Sequence, residues 1–227
     1  MSKFFSMWLR ARNIKRWPLQ SNLFESNDAE HSFEVAVVSH MLGVIERDIY
    51  NDTEINPDRM ATKAVFHEAD EISGVGDINT LCKNNDLETK KAFDRIGQIF
   101  QEKLLNTLPE ELKESYRGLV FQNKKDKEGE LCKSADDICA YIEGVRELNC
   151  GNSEYEDAVA GSRKKIQQWA DKYPSVKYFQ EKFMQDTTAT VDKYFSKGET
   201  ISKVSAIAAE TKAVAEDYLD SLPQLKM

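Results

Sequence analysis

Cysteine, proline and glycine are all scarce: the chain of 227 residues holds 4 Cys, 5 Pro and 10 Gly. Cys82, Cys132, Cys139 and Cys150 are widely spaced and form no CxxC pair. That spacing argues against a disulfide framework and for reduced thiols in a cytoplasmic protein. No run approaches the ~18 apolar residues that span a bilayer. The N-terminal stretch MSKFFSMWLRARNIKRW lacks the apolar region and small-residue cleavage site of a secretory signal. Positive charge is also in deficit, with 31 Lys and Arg against 39 Asp and Glu and a formal net charge of -8. A non-specific nucleic-acid binder needs a cationic excess to displace counterions, so DNA, RNA and anionic membranes are poor main partners. A small anionic ligand stays open, because one local cationic site overrides the average field. Repeats, low-complexity tracts and glycine-rich phosphate loops are absent as well.

What is present is helical patterning. Hydrophobic residues make up 41% and charged residues 31%, an ordinary composition for a chain that folds alone. Apolar residues recur at intervals of three and four rather than alternating, which predicts helices nearly throughout. From Glu30, His31, Val35, Val38, Leu42 and Ile45 form one stripe, and Phe33, Val37, Met41 and Val44 widen it into a broad buried face. A second helix is expected from Pro57 through Glu71, ended by Gly74-Val75-Gly76-Asp77. Further stripes run through Ile96, Ile99, Phe100, Leu104 and Leu105, through a helix opening at Pro109, and from Gly129 to Asn149 with Gly151 as its cap. Tyr155–Lys172, Tyr178–Tyr194 and an Ala-rich Thr200–Leu219 complete the set.

Three histidines occur, His31, His40 and His67. Glu30-His31-Ser32 and His67-Glu68-Ala69-Asp70-Glu71 are unusually acidic surroundings for helical positions, and Asp136-Asp137 interrupts the apolar face of the long helix. A lone helical histidine is ordinarily a hydrogen-bonded structural residue. Carboxylates buried near imidazoles need compensation, however, and a shared divalent ion supplies it. His40 lies nine residues after His31, about 180° around the helix, and reads as structural.

These motifs, taken in order, resemble the HD-domain phosphohydrolases and most closely the YfbR-like 5′-deoxynucleotidases. The similarity runs through Arg16-Trp17-Pro18-Leu19, Glu30-His31-Ser32, His67-Glu68, Glu71, Gly76-Asp77, Lys133-Ser134-Ala135-Asp136, Cys139-Ala140-Tyr141, Glu147-Leu148 and Gly151-Asn152. It implies an all-α HD-domain helical bundle over residues 1–198, and beyond it the Ala-rich last segment reads as a C-terminal helical extension over 199–227. It further implies one divalent metal ion, Co²⁺, Mn²⁺ or a similar transition metal in preference to Mg²⁺, held by His31, His67, Glu68 and Asp136. Glu71 would move a proton or position water, with Glu68 beside it in the catalytic set. Arg16 would hold the phosphate, Trp17 would pack beside the nucleotide, and Asp77 would accept from the deoxyribose 3′-hydroxyl. Each has a plainer alternative: Arg16 paired with a surface carboxylate, Trp17 in the core, Asp77 shaping a turn.

The expected reaction is release of the 5′-phosphate from deoxyribonucleoside monophosphates by a cytoplasmic homodimer. The chain departs from the resembled pattern at two places. Glu68 stands where that family carries Asp, with Asp70 as a substitute ligand of second rank, and one extra residue separates Glu71 from Asp77. These departures keep two other readings open: hydrolysis of another phosphorylated nucleotide, a triphosphate or an alarmone, and an impaired relative that binds nucleotide or a partner.

Overall fold

The computed structural model describes residues 2–184. In chain order the helices are α1 (Phe4–Trp8), α2 (Asp28–Val44), α3 (Pro57–Val65), α4 (Thr80–Lys83), α5 (Leu87–Leu105), α6 (Glu110–Val120), α7 (Lys127–Asn149), α8 (Glu156–Lys172) and α9 (Pro174–Lys182). Wider π turns follow α2 at Ile45–Ile49 and precede α4 at Glu71–Val75. Among the described residues the only β pairing is an isolated antiparallel bridge between Lys15 and Asn27. No described helix is long and apolar enough to cross a membrane.

Local chemistry sets the helix ends. The Asn27 side chain accepts from the amides of Ala29 and Glu30, which starts α2, and Asp126 accepts from Gly129, which starts α7. Pro57 opens α3, where its missing N–H costs nothing. At the end of α7, Gly151 takes φ 90°, and the Gly151 and Asn152 amides bond back to the carbonyls of Leu148 and Glu147. This is the Schellman closure expected at Gly151.

The main core forms where α2 packs against α3 and α7, and α7 against α8. Val35, Leu42, Met60, Leu131, Ile138, Ile166 and Val176 are all sealed from water there. Burial of each large aliphatic side chain stabilises the fold by about 1.5–3 kcal/mol. A smaller cluster of Phe4, Ala69, Leu104, Leu105 and Val120, with Trp8, Phe66 and Tyr116 against it, ties α1, α5 and α6 together.

Four expectations are corrected. The face of α2 is narrower than its sequence suggests: Phe33 is 70% and Val37 45% exposed, because α3 and α7 cover only the side carrying Val35, Val38 and Leu42. Of the α5 stripe, Leu104 and Leu105 are buried as expected, but Ile96 and Ile99 are 40% and 41% exposed while Gly97 faces inward. The helix opened by Pro57 stops at Val65 rather than continuing through Glu71. The segment expected from Tyr178 begins earlier, at Pro174, and ends at Lys182. The rest of that segment to Tyr194, the Thr200–Leu219 helix and the extension 199–227 lie outside the described residues.

Candidate active site

The break after Val65 creates the site. Gln122 Nε2 bonds the Lys63 carbonyl at 2.7 Å and His67 Nδ1 lies 2.6 Å from the Ala64 carbonyl, while the amides of Phe66 and His67 turn back to the same two carbonyls in tighter i→i+3 bonds. A carbonyl only accepts, so His67 Nδ1 carries a proton toward it, and Nε2 is the ring nitrogen turned to the site. Nε2 is buried, lies 3.0 Å from Glu68 Oε1, and has no properly directed hydrogen bond. With α3 ended, His67 and Glu68 project together, two neighbours that a continuous helix would splay by about 100°.

α2 brings His31 to the same place, fully buried one turn after the Asn27 cap. α7 supplies Asp136, whose Oδ1 lies 3.0 Å from His31 Nε2 and whose Oδ2 accepts from Lys133 at 2.6 Å. One ligand atom from each of His31, His67, Glu68 and Asp136 lies within 4.8 Å of the other three. Two imidazoles and two carboxylates so arranged, with buried His67 Nε2 free of any directed hydrogen bond, fit a divalent transition-metal ion. Asp70 is not in that group, and His40 lies on the surface 3.4 Å from Asp58.

A loop before α2 forms one wall. It is held by the Arg16 amide to Ser26, by the Asp28 amide to Ile14, and by Glu147 of α7, which accepts from the amides of Leu23 and Phe24 at 3.0 and 2.8 Å. Arg16 is thereby mostly enclosed and paired with the partly buried Glu143 rather than with a surface carboxylate. Its Nε bonds Glu143 at 3.0 and 3.1 Å, and its Nη1 lies 3.9 Å from Glu68. Trp17 takes φ 56°, a costly left-handed conformation for an aromatic residue. It is held there by its amide on Asp77 at 3.1 Å, its indole N–H on Glu143 at 2.7 Å, and the edge of Tyr155. Asp77 therefore both fixes this loop and sits at the site.

Burial and mutual charge sort the acids. Burial opposes ionisation of Glu68, yet His67 and then His31 hold its pKa down to about 2, and Lys133 with His31 likewise keeps half-buried Asp136 well below its ordinary value against its desolvation. Glu71, by contrast, is pushed up to about 10 by burial and then by the charges of Glu68, Asp77 and Asp28, and its Oε2 has no partner. One carboxyl is thus kept protonated beside others kept ionised, the separation that divides acid from base roles. His31 rises to about 9: burial lowers it, and hydrogen bonds to Asp136 and Glu143 more than offset that.

The sequence reading missed two residues. Glu143 stands seven positions after Asp136, two turns along the same face of α7, so the spacing carried a signal. Asp28 is fully buried with neither carboxylate oxygen bonded. An acid in a first helical turn ordinarily reads as a surface residue favoured by the helix dipole, which hid it.

Comparison with known proteins agrees with this architecture. The family model described as 5′-deoxynucleotidase YfbR-like matches residues 3–187. The chain is 34% identical over 193 residues to a 5′-deoxynucleotidase of Erwinia tasmaniensis, covering 85% of this chain and 96% of that protein. It is 35% identical over 193 residues to one of Vibrio vulnificus, covering 85% and 97%. Among solved structures, an HD-domain phosphohydrolase from Listeria innocua shares the fold with a TM-score of 0.73 at 23% identity, covering 92% of this chain and 98% of its own.

Proposed function

We propose, from the premise that this chain belongs to the YfbR-like 5′-deoxynucleotidase family, that it is a metal-dependent phosphomonoesterase that converts deoxyribonucleoside 5′-monophosphates to deoxyribonucleosides and inorganic phosphate. The observation that carries the reading is the four-residue cluster with His67 Nε2 unclaimed inside it. His31, His67, Glu68 and Asp136 would hold one divalent ion, Co²⁺ or Mn²⁺ by the imidazole-carboxylate donor set. When bound, the ion supplies Lewis-acid polarisation of a phosphoryl oxygen and neutralises developing charge.

The chain's own residues do the rest. Arg16 offers its two terminal nitrogens to two phosphate oxygens, since its Nε is already committed to Glu143. As water attacks phosphorus and the P–O5′ bond breaks, the departing oxygen needs a proton. Glu71, kept protonated by burial, is the group that gives it, and the proton shed by the attacking water as hydrogen phosphate forms returns to the Glu71 carboxylate. Asp77 accepts from the 3′-hydroxyl, and Trp17, held in place by its backbone and indole contacts, lines the nucleoside side. The active form in this reading is a cytoplasmic homodimer, and sedimentation velocity reads its mass.

The test is phosphate release from a panel of deoxy- and ribonucleoside 5′-mono- and triphosphates with Co²⁺, Mn²⁺, Mg²⁺ or chelator. Release from deoxyribonucleoside monophosphates is expected with Co²⁺ or Mn²⁺, and His67→Ala should lower it at least a hundredfold. Tripolyphosphate or pyrophosphate as the main product would replace the substrate class, and no release with any ion would make the chain a binding protein.

A further inference from the structure

Glu143 is not among the four candidate ion ligands, yet all three groups that its carboxylate binds belong to the site. Its oxygens take Arg16 Nε at 3.0 and 3.1 Å and the Trp17 indole N–H at 2.7 Å, and Oε1 lies 3.2 Å from His31 Nδ1. An ionised carboxylate only accepts, and its two oxygens offer about four lone-pair sites, enough for these three donors together. The side chain is largely buried, so water does not readily replace a lost partner.

Each bond leaves a specific group free for chemistry. With His31 Nδ1 donating to Glu143, the nitrogen available as an ion ligand is Nε2, which points toward Asp136 at 3.0 Å and Glu68 at 3.9 Å. With Arg16 Nε engaged, the guanidinium plane is fixed and Nη1 and Nη2 face outward from that bond for a bidentate anion. With the indole N–H engaged, Trp17 keeps its left-handed backbone and its amide on Asp77. A partner that orients an imidazole ligand is ordinarily worth about 10–100-fold in ion affinity.

We propose that Glu143 is a positioning residue that couples ion binding to phosphate recognition, orienting His31, Arg16 and Trp17 through one carboxylate. The proposal rests on the phosphomonoesterase reading above and extends it to a residue that touches neither ion nor substrate.

Glu143→Gln tests it, because the amide keeps the size and replaces one acceptor oxygen with a donor. Circular dichroism and thermal unfolding establish that the variant is folded. Calorimetric titration with Mn²⁺ should then show affinity lowered by about 10–100-fold. At saturating Mn²⁺, KM for a deoxyribonucleoside monophosphate should rise at least fivefold with a smaller change in kcat. Glu143→Asp, which restores the acceptors, should recover most of the ion affinity lost in Glu143→Gln, and Glu143→Met, of similar size and without acceptor oxygens, takes the place of the Gln variant if that one does not fold. A folded Gln or Met variant with wild-type Mn²⁺ affinity and KM overturns the proposal even if the wild type is fully active. A wild type that releases no phosphate, but whose Mn²⁺ affinity falls in Glu143→Gln, overturns the enzymatic reading and leaves the positioning role standing.

Discussion

Asp28 carries a fully buried carboxylate with neither oxygen hydrogen-bonded, and burial, reinforced by the charge of Glu68, pushes its pKa from 3.8 up to about 7. A group whose folded pKa is raised contributes stability that is complete below its unfolded value. That contribution is lost as pH rises through the folded value, here between about 4 and 7. Asp28→Asn should therefore flatten this part of the stability profile in chelator-treated protein. At pH 8 it should stabilise the fold by about 1–4 kcal/mol, because the neutral amide has no charge to desolvate where the carboxyl must ionise. Thermal unfolding from pH 5 to 8 checks it, and a variant with the wild-type slope would assign the pH dependence to other groups. At this scale the sequence was legible where residue type names chemistry: His31, His67, Glu68 and Asp136 stand out as ion-ligating types, and the fold gathers them. It was not legible at Asp28, because burial belongs to the neighbours and not to the residue.

The helices were largely readable because their apolar spacing, caps and breakers are local properties, as at Pro57 and Gly151. The end of α3 was not. Phe66-His67-Glu68-Ala69 has no helix breaker, and Gln122, 59 residues away from Lys63, supplies one of the contacts that finish the helix there. The expectation of one continuous helix from Pro57 through Glu71 fails for the same reason, although His67 and Glu71 both remain at the site. The close approach of α2 and α3 is another contact that spacing alone does not reveal. A Cβ on Gly43 would lie 2.9 Å from Pro57 Cα and 3.0 Å from Met60 Sδ. Gly43→Ala should force these helices apart and cost about 1–3 kcal/mol, as overpacking commonly does. Differential scanning calorimetry should show Tm lowered by roughly 2–10 °C, and an unchanged Tm would mean the helices pack less tightly than described.

Over the whole molecule, the four candidate ion ligands come from α2, from the turn after α3 and from α7, so the site exists only when these elements are packed. An ion that binds the folded chain alone must stabilise it, by about 2.7 kcal/mol at a concentration one hundred times its Kd. Mn²⁺ or Co²⁺ should raise Tm by roughly 5–10 °C, chelator should reverse the rise, and His67→Ala should abolish it. An equal rise in the His67→Ala protein would locate the ion elsewhere. The sequence by itself determined the all-helical class, most helix starts and the residue types able to bind an ion and a phosphate, because these depend on local periodicity and side-chain chemistry. Only the tertiary structure decided that α3 ends before His67, that Glu71 is protonated while Glu68 is ionised, and that Glu143 holds His31, Arg16 and Trp17 at once. Desolvation and hydrogen-bond direction depend on what lies across the fold, and residues more than a hundred positions apart meet only there.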